Sequence, residues 1–211
     1  MALRDIQLVI LDVDGVLTDG TISISDDGVE TKHFNVRDWT GIVYLERAGV
    51  RVAIVSGRTS KAVARRAREV GVAEVHQGAK RKLPVVLDLL RRLGVKPAHA
   101  ACVGDDLVDI PVAQAVGFSV AVADAHEELK RRCRHVTTRR GGEGAVREVA
   151  EMILKAQGKW DAIMKRYCDR DEAMGEAARP REEAASGPGR QECLPHRAKS
   201  RGRGKKRSRV R

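Results

Sequence analysis

Long apolar runs, paired cysteines and interleaved aromatics are what this chain of 211 residues lacks. Nowhere do about 18 uninterrupted apolar residues follow one another, so no membrane-spanning helix is expected. The apolar N-terminal stretch is broken by Asp12 and Asp14, which argues against a cleavable leader and makes a cytoplasmic protein the expectation. The four cysteines, Cys102, Cys133, Cys168 and Cys193, form no C-x-x-C pair. That spacing excludes a zinc knuckle and a compact disulfide framework, and reduced thiols remain.

The last stretch, His196 to Arg211, holds no acid, and much of the net charge of +11 belongs to the C-terminal end. We divide the chain into a domain over residues 1–159 and a tail over residues 160–211. Asp161 to Ala178 can extend a helix, whereas Arg179 to Gly189 is rich in Pro, Gly, Ala and Glu, and Arg197 to Arg211 is a Lys/Arg/Ser/Gly tract. Such a tract cannot bury a core, and the tail is expected to be partly helical and then disordered. A basic arm can bind polyanions such as RNA, DNA or an anionic membrane face, and only through this tail could nucleic acid be a partner, the competing reading being a nucleic-acid-binding protein with the domain as scaffold. The tract offers bases no aromatic stacking surface, which favours a solvated extension.

What is present is an alternation. Ile6 to Val13, Val52 to Val55, Ala100 to Val103 and Phe118 to Val122 are short apolar runs that read as strands buried on both faces. Between and after them Thr40–Ala48, Ser60–Val70, Lys82–Leu93, Ile110–Ala115 and Ala145–Ala156 carry helical patterns. The economical architecture is α/β: a Rossmann-like, doubly wound parallel sheet, whose active sites gather at the carboxyl ends of strands. One segment breaks the rhythm: Thr21–Ser25 and Val29–Phe34 flank Asp26-Asp27-Gly28 and read as a β-hairpin flap. A lone hairpin is marginal in water, so Ile22, Ile24 and Phe34 are expected to pack on the same chain or on a neighbouring subunit.

Chemistry concentrates at the strand ends. Asp12 and Asp14 stand two apart where the first apolar run stops, so both can address one ligand, with Gly15 turning the backbone beneath it. Gly104-Asp105-Asp106-Leu107-Val108-Asp109 follows another strand. Carboxylates without nearby His or Cys suit a hard cation such as Mg²⁺. Ser56-Gly57 opens a helix where backbone N–H groups favour an anion, and Lys82 brings a positive charge to the start of the next one. Taken singly, each has an ordinary explanation as a cap, a turn or a solvated face. Asp/Asp, Ser-Gly, Lys and Asp/Asp following one another at successive element ends do not look independent.

At these residues the chain resembles the haloacid dehalogenase superfamily of phosphotransferases. The four motifs correspond to Asp12-Val13-Asp14-Gly15, Ser56, Lys82 and Gly104-Asp105-Asp106 with Asp109. Within the superfamily the resemblance is to its sugar-acid phosphatases, carried further by Asn35-Val36-Arg37-Asp38, by Ser119 to Ala125 and by Gly141 to Glu148. It implies an Mg²⁺-dependent phosphatase acting through an aspartyl-phosphate. Asp12 is then the nucleophile and Asp14 the general acid and base. Ser56 and Lys82 hold phosphoryl oxygens, while Asp12, the backbone carbonyl of Asp14 and Asp105 hold the metal. Asp106 and Asp109 orient Lys82 or metal-bound water.

The first expectation for the substrate is 3-deoxy-D-manno-octulosonate 8-phosphate, in lipopolysaccharide precursor synthesis. The alternative is an N-acylneuraminate 9-phosphate or its deaminated analogue. Only the hairpin plus a helix separates the first two motifs, and a helix plus a strand the next two, so no cap domain fits. The resembling family closes such an open site by forming a homotetramer. The residues expected to contact the substrate are Asp14, Asn35, Val36, Arg37, Asp38, Trp39, Arg58, Arg66, Lys82 and Asp109, with Arg147 reaching in from a neighbour. Guanidinium groups suit a sugar carboxylate, and Arg58 and Arg66 lie eight apart, close to one face of the following helix. Trp39 and Val43 depart from the family pattern, which has a glycine and, four positions on, a basic residue. Trp39 is expected to narrow the pocket or stack on the substrate.

Overall fold

A computed structural model describes residues 3–168, and what was expected of the basic tract lies outside the described residues. Strand β1 (Leu8–Leu11) is buried along its whole length, followed by the hairpin strands β2 (Ser23–Ile24) and β3 (Glu30–Thr31). Then come α1 (Val36–Arg47), β4 (Arg51–Val55), α2 (Lys61–Glu69), β5 (Glu74–His76) and α3 (Lys82–Leu93). The second half holds β6 (Ala100–Gly104), α4 (Ile110–Ala115), β7 (Phe118–Ala121), α5 (Glu127–Lys130), β8 (His135–Val136), α6 (Ala145–Ala156) and α7 (Trp160–Cys168). Among the described residues no helix is long and apolar enough to cross a membrane.

Six strands form one parallel sheet in the order β5-β4-β1-β6-β7-β8. The chain steps outward from β1 to β4 and β5, then crosses back to β6, β7 and β8. Right-handed crossovers in the two directions place helices on opposite faces. Accordingly α1 packs on α6, and α3 packs on α4. The reversal falls beside β1, the place where such sheets open a crevice at their carboxyl ends. No cap is inserted, as the motif spacing implies.

The helices α3, α4 and α6 keep the bounds read from their periodicity. Helix α1 does not, for it starts at Val36 and not at Thr40, because the Asn35 side chain accepts from the Arg37 N–H at 2.9 Å and caps it. Arg58 lies in the loop between β4 and α2, not on a face of the helix that carries Arg66. Helix α7 starts just after Gly158 and joins the core through Ile163, with the Trp160 ring edge-on to Tyr44 at 6.1 Å.

Two of the expected substrate contacts are structural. Asp38 is fully buried and its carboxylate accepts from Gly144 N–H at 3.1 Å and Arg147 N–H at 2.9 Å, so it caps α6 from the first turn of α1. Burial lifts its carboxyl above the ordinary value although these N–H groups favour the charged form. Trp39 is the largest fully buried side chain. Its ring stands edge-on to Phe34 at 5.2 Å, and the Arg66 guanidinium lies 5.5 Å from its centre. It therefore fills the space between α1, the hairpin segment and α2, and its indole N–H is buried without a partner among the described residues.

Replacing the cap strands two backbone donors in the interior. Asp38→Ala is expected to cost about 1–3 kcal/mol in urea unfolding, the penalty for buried donors left unpaired. A change below the error of the measurement would remove Asp38 as the tie between α1 and α6.

Candidate active site

The site begins with a knot in the chain after β1. Val13 carbonyl accepts from Val16, Leu17 and Thr18 N–H, and Thr18 Oγ1 accepts from Gly15 at 3.4 Å and Gly20 at 3.2 Å. Gly15 has φ +84°, and a Cβ there would stand 2.0 Å from Asp105 Oδ2. Glycine thus lets the β6 carboxylate close over the β1 loop. From the other side Gly141 approaches so closely that its Cβ would lie 1.7 Å from Gly15 O, and its N–H is held by Asp124 at 2.9 Å. This contact gives a physical reason for the Gly141-Gly142 and Asp124 motifs.

Strand register does the rest. Leu11 is paired with Ile54 on β4 and with Val103 on β6, so Asp12 leaves β1 beside the residues leading to Ser56 and Asp105. Lys82, the first residue of α3, places Nζ 2.7 Å from Asp12 Oδ2 and 2.7 Å from Asp109 Oδ1. Asp109 Oδ2 in turn accepts from Asp105 N–H at 3.1 Å. A Cβ on Gly104 would lie 2.6 Å from Asp109, so this approach too needs glycine. Ser56 is buried, its hydroxyl oxygen accepting from Arg58 N–H at 3.3 Å.

Oxygens of Asp12, Asp105 and Asp109 all lie within 4.8 Å of one another. Burial, with Asp109 adding to it and Lys82 opposing, pushes Asp12 up to about 6. Burial and then the charges of Asp12 and Asp109 push Asp105 up to about 8. Burial works to lower Lys82, but the two carboxylates outweigh it and hold the ammonium above its ordinary value. Three crowded carboxylates against one lysine leave negative charge uncompensated, and an all-oxygen donor set of this kind fits Mg²⁺. The Asp14 carboxylate stands apart from that cluster.

Asp14 is bound instead by a lysine that sequence reasoning missed. Lys32, on the hairpin, has a side chain only 1% exposed and donates to Asp14 Oδ1. Its ammonium also lies 3.1 Å from Glu30 Oε1, and Glu30 Oε2 pairs with Arg58 Nη2 at 2.5 Å. The only sequence signal was a Lys two residues after a Glu on a short strand, too common a pattern to single out.

The other expected substrate contacts are dispersed. Arg66 pairs with Glu69 at 3.0 Å, Asn35 is a cap, and Val36 is 70% exposed. Arg37 and Arg147 border a separate cleft of about 400 Å³ between the starts of α1 and α6, with Arg147 tied to Glu151 at 2.7 Å.

A parallel α/β sheet with a D-x-D-G loop, a serine, a lysine and an acidic loop at neighbouring strand ends is the framework of a haloacid dehalogenase-like hydrolase, and residues 39–117 match that family directly. Among relatives, the 3-deoxy-D-manno-octulosonate 8-phosphate phosphatase KdsC of Escherichia coli strain K12 is 50% identical over 158 residues, which are 75% of this chain and 84% of that protein. The phosphatase of the same name from Yersinia pestis has a crystal structure that superposes with a TM-score of 0.74 at 46% identity, over 75% of this chain and 86% of that one. The phosphatase of Moraxella catarrhalis, crystallised with magnesium, phosphate and the sugar acid, gives 0.77 at 41% identity, over 78% and 95% of the two chains. The chain belongs to the 3-deoxy-D-manno-octulosonate 8-phosphate phosphatase family.

Asp12 and Asp105 ionise at higher pH in the fold than in an unfolded chain, where the ordinary value is 3.8. The metal-free fold therefore carries more protons than the unfolded chain between about pH 4 and pH 8, and these groups withdraw stability as pH rises through that window. Mg²⁺ competes with those protons, so the rise in Tm on adding Mg²⁺ is expected to be small at about pH 5 and to grow towards about pH 8. Calorimetry with Mg²⁺ and with EDTA measures it; an increment flat in pH removes this carboxylate cluster as the metal site.

Proposed function

We propose that this protein hydrolyses 3-deoxy-D-manno-octulosonate 8-phosphate to the free sugar acid and inorganic phosphate, in lipopolysaccharide precursor synthesis. The observation that carries the reading is the meeting of Asp12, Lys82 and Asp105 at the sheet's carboxyl edge in a chain that is 50% identical over 158 residues to a phosphatase of that name. In this reading an Asp12 oxygen attacks phosphorus and the bond from phosphorus to the sugar oxygen breaks. Asp14 delivers a proton to that oxygen. Water then attacks the aspartyl-phosphate, passes its proton to Asp14 and frees Asp12.

The surroundings support the roles of Asp12, Lys82 and Ser56. Lys82 keeps Asp12 ionised against its burial, as a nucleophile requires, and its remaining hydrogen-bonding capacity suits a phosphoryl oxygen. Asp109 fixes Lys82, and Ser56 offers a hydroxyl from the adjoining strand end. Asp12, the backbone carbonyl of Asp14 and Asp105 would hold Mg²⁺, which supplies positive charge to the migrating phosphoryl group. Arg58 would take the sugar carboxylate at the mouth of the site.

Phosphate release from a panel of sugar phosphates tests the reaction, with Asp12→Asn as the blank. The expected outcome is release from the eight-carbon acid at least about 10³-fold above that blank. Release equal to the blank on every member ends the phosphatase reading, and a preference for a nine-carbon acid phosphate moves the substrate.

The proposal includes a homotetramer assembled through the hairpins. Of the residues expected to pack, Phe34 rests on Trp39 within the chain, whereas Ile24 is 65% exposed, as is Val29 at 57%, and the described residues offer the hairpin tip no cover. Ile24→Asp is expected to lower the mass in sedimentation equilibrium, and an unchanged assembly would remove the hairpin from the contact.

A further inference from the structure

The hairpin and the loop after β4 hold four charged side chains in an alternating row: Asp14, Lys32, Glu30 and Arg58. The inner three are tightly placed, since the Lys32 side chain is almost wholly buried between its two carboxylates. Arg58, at the outer end, is 46% exposed. Its guanidinium gives one nitrogen, Nη2, to one oxygen of Glu30. The rest of the guanidinium fork has no carboxylate partner among the described residues.

Resting on the reading of Arg58 as the group that takes the sugar's carboxylate, we infer that Glu30 is an internal competitor for it: Glu30 holds Arg58 in the free enzyme, yields it when the substrate's carboxylate arrives, and so sets the KM for acidic sugar phosphates. The single-point contact favours the exchange, because an incoming carboxylate can engage the planar fork through two parallel hydrogen bonds. Glu30 also has somewhere to go. Its second oxygen already lies 3.1 Å from Lys32, so on leaving Arg58 it keeps a cationic neighbour. It borders an open cleft of about 380 Å³ between the hairpin turn and the start of α2, bounded by Gly28, Val29, Thr59 and Ser60. Arg58 is never left as a bare cation able to recruit unrelated anions, and Lys32 is never left without a counter-charge.

The test measures KM for the eight-carbon acid phosphate, and for a neutral hexose 6-phosphate its KM or its inhibition constant. The proteins are wild type, Glu30→Gln, Arg58→Ala and the double variant. Glu30→Gln, which keeps the side chain's shape, is expected to lower KM for the acid about two- to fivefold, the worth of a partly solvated ion pair. The neutral sugar phosphate should bind as before. Arg58→Ala should raise KM for the acid, and adding Glu30→Gln to it should change nothing further.

A KM for the acid that stays level or rises in Glu30→Gln overturns the exchange, as does an equal gain for the neutral sugar. A gain that persists in the Arg58→Ala background also overturns it, since it would mean simple repulsion between Glu30 and the substrate. If Arg58→Ala leaves KM for the acid unchanged, the reading of Arg58 falls and the exchange with it. If Arg58→Ala raises KM while Glu30→Gln is inert, only the exchange falls.

Discussion

One ammonium group between two carboxylates organises this molecule. Lys82 sits 2.7 Å from both Asp12 and Asp109, out of water, at the start of α3. Removing an isolated carboxylate from water is costly, and two of them side by side would take up protons before they would both ionise. The lysine reverses part of that penalty, though not all, which is why Asp12 still stands near 6 and Asp105 near 8. What remains is a deficit of positive charge at the point where β1 and β6 end. The sheet's order places the deficit there, since β1 and β6 are neighbours and the chain reverses direction beside them.

Such crowding demands backbones that can come closer than side chains allow. Gly15, Gly104 and Gly141 each face a neighbour at a distance where a Cβ would overlap it. Gly15 admits Asp105, Gly104 admits Asp109, and Gly141 brings the loop before α6 down onto the D-x-D-G turn. The catalytic edge is therefore closed by three contacts that depend on the absence of side chains, and Asp38 and Asp124 anchor the segment that supplies the third. Electrostatics chooses which groups meet; the glycines decide how near they stand.

This division explains what could be read from the chain alone. Strands buried on both faces and helices with a clean apolar stripe announce themselves locally, so the alternation, the α/β class and the bounds of α3, α4 and α6 were legible. Asp12, Ser56, Lys82 and Asp105 were legible as well, because each sits at an element's end, where a polar residue after an apolar run needs a reason. Asp38, Trp39 and Lys32 were not. A residue beside a motif looks like part of the motif, yet Asp38 turns inward to cap a helix more than a hundred residues downstream, and Trp39 turns inward to fill the core. Lys32 reaches Asp14 across 18 positions of chain, a pairing that only the fold of the hairpin creates.

The two halves of the site differ in kind for the same reason. Phosphoryl chemistry is the same whatever sugar is attached, and the residues we propose for it stand on strand ends and a helix start buried in the sheet's edge, where geometry is stiff. Recognition of the sugar has to distinguish molecules that differ far from phosphorus, and the charges suited to it, Glu30 and Arg58, stand on a hairpin and a loop with solvent on one side. Lys32 is the hinge between the two, for it contacts Asp14 on the chemical side and Glu30 on the recognition side while being itself almost fully buried. In the proposed exchange Glu30 gives up Arg58 while its other oxygen stays 3.1 Å from Lys32, so the buried pair of Lys32 and Asp14 keeps its neighbours as the outer end of the row changes partner.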